Sequence, residues 1–163
     1  MSDKPEVGKL HICFVCSGNI CRSPMAERIL TRVIAEAGLA DRVRVSSAGI
    51  GGWHVGEPAD NRARTELLAN GYSDDHVAAQ LGPGHLSADL LIALDSGHAR
   101  DLQRKRLGER VRLLRSFDPA ATTADVPDPY YGGPADFVVV REQIEAAVPG
   151  LLAWVHAALA DRT

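Results

Sequence analysis

Cys16 and Arg22, with five residues between them, are the pair in this sequence best suited to do chemistry. The run Val15-Cys16-Ser17-Gly18-Asn19-Ile20-Cys21-Arg22-Ser23-Pro24 follows a short apolar stretch, Leu10 to Val15, and precedes an amphipathic helix pattern. A tight loop between a strand and a helix turns consecutive backbone N–H groups inward and makes a nest sized for an anion. The helix N-terminus adds partial positive charge. Arg22 can hold two oxyanion oxygens at once with its planar fork. On the floor of such a nest a thiolate is the favoured form of a cysteine, and a thiolate beneath a bound phosphate is a nucleophile aimed at phosphorus. Gly18 and Asn19 both tolerate unusual backbone angles. Ser23 reads as the N-cap of the following helix and Pro24 as its first helical position. A buried strand cysteine followed by a surface arginine would explain the spacing, but not these neighbours.

Expelling an alkoxide or phenoxide from phosphorus requires a positioned acid. Asp128 lies between Pro127 and Pro129 in a long loop, with Asp125 a weaker rival. Read from local sequence, Asp128 is a turn aspartate first and an acid second. Tyr130 and Tyr131 follow it, and Trp53 sits in a glycine-rich loop between Gly52 and Gly56. One tyrosine can pack inward, but a large aromatic in an exposed glycine loop is poorly explained as core. The functional reading makes these rings the walls of a slot that stacks on a substrate ring. Cys21 is either a small buried side chain or a resolving thiol that traps oxidised Cys16 as a disulfide. Cys13 and Cys16 form a C-x-x-C, but Cys13 lies inside the apolar strand and reads as core. His11 alone does not supply a zinc site, and no metal or other cofactor is expected.

The elements that must position these residues alternate. A strand is predicted over about 9–15. A helix runs from Pro24 to about Ala37, with Met25, Ile29, Leu30, Val33, Ile34 and Ala37 on one face and Gly38 as C-cap. Strand two covers 43–46. Helix two covers 58–69, stopping before Asn70-Gly71. Strand three covers 89–94, helix three about 97–107, and strand four 111–114. Residues 115–134 form a loop long enough to be functional or disordered. The last helix begins near Ala135 and buries Phe137, Val140, Ile144, Val148, Leu151, Val155 and Leu159. Pro149-Gly150 is expected to kink or split it. The alternation implies an α/β fold: a single-domain, four-stranded parallel sheet with helices on both faces, a Rossmann-like three-layer sandwich. Ligands on such sheets bind beyond the strand C-terminal ends, where the strand order switches, and Cys16 is placed there.

The 163 residues are read as one domain spanning 1–163, with 1–8 flexible. Hydrophobic content of 45%, charged content of 24% and a net charge of −3 are those of an ordinary globular protein. Such a charge argues against bulk nucleic-acid or acidic-membrane binding. No apolar run approaches the ~20 residues that span a bilayer, and the polar start Met1 to Gly8 lacks the core of a signal peptide. The expectation is a cytoplasmic monomer. Three cysteines, all between positions 13 and 21, do not make a disulfide framework.

The chain resembles the low-molecular-weight protein-tyrosine phosphatases. The resemblance is carried by Cys16 to Pro24, Ser47-Ala-Gly49, Gly52-Trp-His-Val-Gly56, Asp75-His76 and Asp128-Pro-Tyr-Tyr-Gly132, in the family's order over nearly the whole chain. An Ala- and Arg-rich composition with few lysines is similar to the actinobacterial branch. The resemblance implies hydrolysis of phosphotyrosine in proteins through a phosphocysteine at Cys16, with inorganic phosphate as product. Ser17, Gly18, Asn19, Ile20 and Cys21 then form the phosphate loop. Arg22 binds the phosphate and the transition state, and Asp128 is the general acid and later the general base. Ser23 donates to the thiolate. Ser47 and His76 brace Asn19, which is held in a strained conformation. Trp53 with Tyr130 or Tyr131 walls the slot. Three neighbouring readings stay open. An arsenate reductase shares the fold but relays electrons through further cysteines, and none follows Cys21. A protein-arginine phosphatase carries a threonine where Ile20 stands. A silent phosphoprotein-binding module would lack the cysteine, the arginine or the acid.

Overall fold

The first strand, β1 (Leu10–Cys16), is apolar but for His11 because both its faces are covered, and His11 is buried with its Nε2 2.6 Å from Ser46 Oγ. Side chains alternate along a strand. Leu10, Ile12, Phe14 and Cys16 pack into one layer, and Cys13 and Val15 into the other. The computed structural model describes residues 8–162, so the expectation made for 1–8 falls, up to residue 7, outside the described residues. The other elements are α1 (Arg22–Glu36), β2 (Val43–Gly49), α2 (Asn61–Ala69), the short α3 (Pro83–Leu86), β3 (Leu90–Ala93), α4 (Ser96–Gln103), β4 (Val111–Leu113) and α5 (Pro134–Ala160). The four strands are parallel in the order β2-β1-β3-β4. One face carries α1 and α5 over the larger core, and the other buries Leu102 of α4 with Cys13, Val15 and Leu91.

The chain leaves β1 toward β2 on one side and later returns to lay β3 on the other. The C-terminal end of β1 is therefore the switch point, where an open α/β sheet leaves a crevice. β2 extends three residues beyond its expected end because Ser47, Ala48 and Gly49 pair with Phe14, Val15 and Cys16. That pairing carries the strand edge up to the loop that follows Cys16.

Helix ends differ from expectation where side chains cap them. α2 starts at Asn61 rather than Pro58, because the Asp60 carboxylate accepts the Arg62 N–H (2.8 Å). α4 starts behind Asp95, which accepts the His98 N–H (2.9 Å), and ends at Gln103. Gly38 closes α1 as expected, with φ +75° and the Leu39 N–H returning to the Ile34 carbonyl. Ser23 is not an N-cap. α1 begins at Arg22, Ser23 is its second residue and Pro24 its third.

The last helix corrects the expectation most. α5 runs unbroken for 27 residues through Pro149. Buried Ile144, Ala147, Leu151 and Val155 clamp both sides of that point, while Pro149 faces solvent. Gly150 serves a contact rather than a helix end: a Cβ there would overlap the Phe117 carbonyl oxygen. Ala147, not the half-buried Val148, completes the buried face. By length and composition α5 could cross a membrane, contrary to the expectation from apolar runs. Its contacts are those of a core helix, with Phe137 to Leu159 packed in the larger cluster. The long loop 115–134 is anchored rather than loose. It opens with a 3-10 turn (Leu114–Phe117), and Val126 is fully buried with its N–H on the Leu94 carbonyl (2.9 Å).

Candidate active site

The loop from Cys16 to Arg22 is held from below by a directed chain of hydrogen bonds. Asn19 is fully buried in the left-handed region, φ 59°. Its Oδ1 accepts the Ala79 N–H (2.9 Å), which fixes the amide's orientation. Its Nδ2 then donates to Ser23 Oγ (2.8 Å) and Ser47 Oγ (2.9 Å). Ser47 in turn donates to Glu27 Oε1. Ser23 Oγ accepts from Asn19 and lies 2.8 Å from Cys16 Sγ, which among the described residues is the acceptor within reach of its own proton, so against a thiolate the hydroxyl donates. The sulfur is left as acceptor, the part a thiolate plays. His76 Nε2 donates to the Asn19 carbonyl (2.7 Å), and its Nδ1 lies 3.8 Å from Glu27. Burial holds this imidazole below its ordinary pKa, so it serves as a neutral brace.

Arg22 is buried at the mouth of the nest. Its Nη1 donates to Asp95 Oδ2 and to the Val126 carbonyl, both at 2.9 Å. That accounts for both Nη1 hydrogens and aims the Nε–Nη2 edge of the fork at the loop. Nη2 lies 3.7 Å from Asp128 Oδ2. Asp95 follows β3 across the switch point. Burial opposes its charge, but the His98 N–H, the His98 ring and Arg22 together keep its pKa below the ordinary carboxylate value. His98, buried and kept below its ordinary value by that burial, reaches Ser17 Oγ with Nε2 (2.9 Å). Asp95 and His98 thus tie together the two ends of the loop.

Above the nest opens a cleft of about 400 Å³. Cys16, Ile20 and Cys21 line its floor, and Trp53, Asp128, Tyr130 and Tyr131 line its walls. Trp53 is 73% exposed and Tyr131 91%. Rings this open, on a concave site, are surface waiting for a partner rather than core. Tyr130 and Tyr131 meet edge to face at 5.0 Å. Asp128 Oδ1 accepts the Tyr130 N–H (3.1 Å), which turns the carboxylate over the cleft. Cys21 is buried beside Cys16. Burial first, and the Asp60 charge second, push its thiol up to about 12. Cys13 is a buried core thiol, pushed to about 12 mainly by burial. Among the described residues no three His, Cys, Asp or Glu side chains are grouped to hold a metal ion.

The family model described as low molecular weight phosphotyrosine protein phosphatase matches residues 11–161. The chain belongs to this family. Low molecular weight protein-tyrosine phosphatase A of Mycobacterium tuberculosis is 56% identical over 154 residues, covering 93% of this chain and 94% of that protein. The similarity puts the chain in the actinobacterial branch of the phosphatases. A protein tyrosine phosphatase from Entamoeba histolytica, solved with Hepes in its active site, superposes with a TM-score of 0.87 at 30% identity, covering 92% of this chain and 99% of that one. A drosophila arginine phosphatase superposes at 0.81 with 28% identity, covering 88% and 96%. The low molecular weight phosphatase fold therefore does not by itself choose the phosphorylated side chain.

In this phosphatase the fold brings Cys16, Ser17, Gly18, Ile20, Cys21, Arg22, Trp53, Asp128, Tyr130 and Tyr131 to one cleft, with Asn19, Ser23, Ser47 and His76 beneath it. It does not bring Asp125 there. That carboxylate accepts from the Ser96 N–H (2.8 Å) and Oγ (2.7 Å), and staples the loop to the start of α4. Asp95, Glu27, His54 and His98 complete the site without having stood out in the sequence. For Asp95 a signal existed: an aspartate between an apolar strand and a helix is both an N-cap and a crevice residue.

Proposed function

We propose that this protein-tyrosine phosphatase carries the phosphoryl group of phosphotyrosine in proteins onto Cys16 Sγ and then to water. The thiolate attacks phosphorus in line with the phenolic leaving group. The loop N–H groups and the Nε–Nη2 edge of Arg22 receive the equatorial oxygens as charge redistributes. Asp128 gives its proton to the departing tyrosine oxygen, so the P–O bond breaks as the P–S bond forms. The same carboxylate then takes a proton from water, which attacks the phosphocysteine and frees inorganic phosphate and Cys16. The directed hydrogen-bond chain ending with the Ser23 hydroxyl on Cys16 Sγ is the observation that supports this reading most. Cys21 is assigned as resolving thiol: if Cys16 is oxidised to a sulfenic acid, the Cys21 sulfur displaces water and forms a reducible disulfide. A thiol mechanism with three free cysteines suits a reducing compartment, and we assign the enzyme to the cytoplasm, acting as a monomer.

Phosphotyrosine is favoured because its long flat side chain reaches the floor between Trp53 and the tyrosine pair, and phosphoserine is too short. Ile20, which lines the cleft, crowds the branched polar head of phosphoarginine. Matched phosphopeptides test this through kcat/KM, with the expected order phosphotyrosine, phosphoarginine, phosphoserine. Trp53→Ala is expected to raise KM for aryl substrates more than it lowers kcat, since stacking is made in ground and transition states alike. Ile20→Thr is expected to shift preference toward phosphoarginine. A wild-type preference for phosphoarginine would instead align the chain with the drosophila neighbour.

A further inference from the structure

Asp128 belongs to a loop segment suspended between two arginines. Upstream of it, the Val126 carbonyl is fixed by Arg22 and the Val126 N–H by Leu94. Downstream, residues 129–132 form a turn closed by the Gly132 N–H on the Pro129 carbonyl (3.0 Å). Two carbonyls of that turn point at Arg62 of α2. Nη2 donates to the Tyr130 carbonyl (3.0 Å) and Nη1 to the Gly132 carbonyl (2.9 Å). The guanidinium also lies over the Tyr130 ring (5.9 Å to its centroid) and the Phe137 ring (4.6 Å). Its remaining edge is taken by Asp60, through Nε to Oδ1 and Nη2 to Oδ2, both at 3.0 Å. Four of the five guanidinium hydrogens are thus committed. Asp60 is itself bonded to the nucleophile loop, its backbone N–H donating to the Ile20 carbonyl (2.8 Å). The Arg62 hydrogen bonds keep the Asp60 carboxyl below its ordinary value, so the pair stays charged.

We infer that Arg62 is a positioning residue for the general acid. With Asp60 it forms a strut from the floor of the phosphate loop to the turn that carries Asp128, Tyr130 and Tyr131, and sets the height of the acid above Cys16. The inference rests on the assignment of Asp128 as acid. A planar fork that spans two carbonyls and a carboxylate has no substitute in a point charge, so lysine cannot take its place. The hydrogen bonds of this strut end on the Tyr130, Gly132 and Ile20 carbonyls, and none reaches the Cys16 sulfur. Its loss should therefore spare steps that need no proton and penalise those that do.

The experiment is a leaving-group series of aryl phosphates, from a dinitrophenol-type group that departs unprotonated to phenol and tyrosine. It is run with the full-length enzyme, with Arg62→Ala, Arg62→Lys and Asp128→Asn, and with the pair Arg62→Ala/Asp128→Asn. Thermal unfolding of each variant identifies those that fold. For Arg62→Ala the expected kcat/KM, which reports the steps up to loss of the leaving group and not the common hydrolysis of the phosphocysteine, falls about tenfold with tyrosine phosphate and less than about twofold with the best leaving group, a part of the roughly 10²–10⁴-fold that a general acid supplies. Arg62→Lys is expected to recover only part of the loss. In the Asp128→Asn background, Arg62→Ala should add no further leaving-group dependence, because the group it positions is gone. A loss of equal size in kcat/KM across the series, or wild-type behaviour of Arg62→Ala, overturns the strut. If Asp128→Asn itself leaves the dependence unchanged, the acid assignment fails instead. A steep Asp128→Asn series beside a flat Arg62→Ala series rejects Arg62 alone.

Discussion

At the scale of single residues, the site is built on proton direction. Asn19 gives its amide hydrogens to Ser23 and Ser47, and the Ser23 hydroxyl keeps its own hydrogen for Cys16. The same logic governs Arg22, whose Nη1 hydrogens are consumed by Asp95 and Val126, which leaves Nε and Nη2 for the anion proposed above. Asp95 has two duties, capping α4 and orienting Arg22, and one substitution separates them. Serine keeps a cap for the helix but is too short to reach the guanidinium. Asp95→Ser is therefore expected to spare the helix end but to lower the thermal midpoint, because the buried Arg22 guanidinium loses its carboxylate, and to weaken competitive inhibition by inorganic phosphate about tenfold, or about 1.4 kcal/mol. An unchanged inhibition constant would remove Asp95 from the account. Cys16, Arg22 and the loop were legible because their spacing is local. Asp95 meets Arg22 from 73 positions away and Arg62 meets Tyr130 from 68, and no sequence period announces such meetings.

At the scale of elements, the strands were legible because burial on both faces leaves a near-continuous apolar run, interrupted by His11 alone in Leu10 to Val15 and unbroken in Leu90 to Leu94. Ends were less so, since they depend on which carboxylate turns back to cap, as Asp60 and Asp95 do. The Pro149-Gly150 pair misled because both residues break isolated helices, yet here each answers to its surroundings. Proline faces solvent, and glycine admits the Phe117 carbonyl. This yields a prediction opposite to helix propensity. Gly150→Ala, favourable by about 1 kcal/mol in an exposed helix, is expected to destabilise this protein by about 1–3 kcal/mol through overpacking. Urea unfolding measures it, and a stabilised variant would contradict the contact.

At the scale of the whole molecule, the order β2-β1-β3-β4 converts a local motif into a site. It sets the loop after β1 against the loop after β3, and Val126 then draws the acid segment across both. The sequence shows the alternation of elements, but not which residues of distant loops this order brings together. Packing buries His76 and His98 beside the site and half-buries His85 on α3 away from it, and burial lowers the pKa of each. A histidine whose folded pKa is depressed contributes stability that is full above its unfolded value of about 6.5 and is lost as pH falls through the lower folded value. Stability is therefore expected to decline as pH drops below about 6.5. His85→Gln, away from the catalytic cleft, should reduce the steepness of that decline. A urea midpoint flat between pH 7 and pH 5 would refute this.

The central claim is that Cys16 carries the phosphoryl group between substrate and water. Rapid acid quench of the native enzyme turning over a phosphotyrosine peptide, followed by peptide mass spectrometry, tests it directly. One phosphoryl group on the Cys16 sulfur is expected, and it should accumulate further in Asp128→Asn with a good leaving group, where attack succeeds but water is poorly activated. Turnover with no phosphoryl group on the enzyme, or with the group on any residue other than Cys16, would contradict the account.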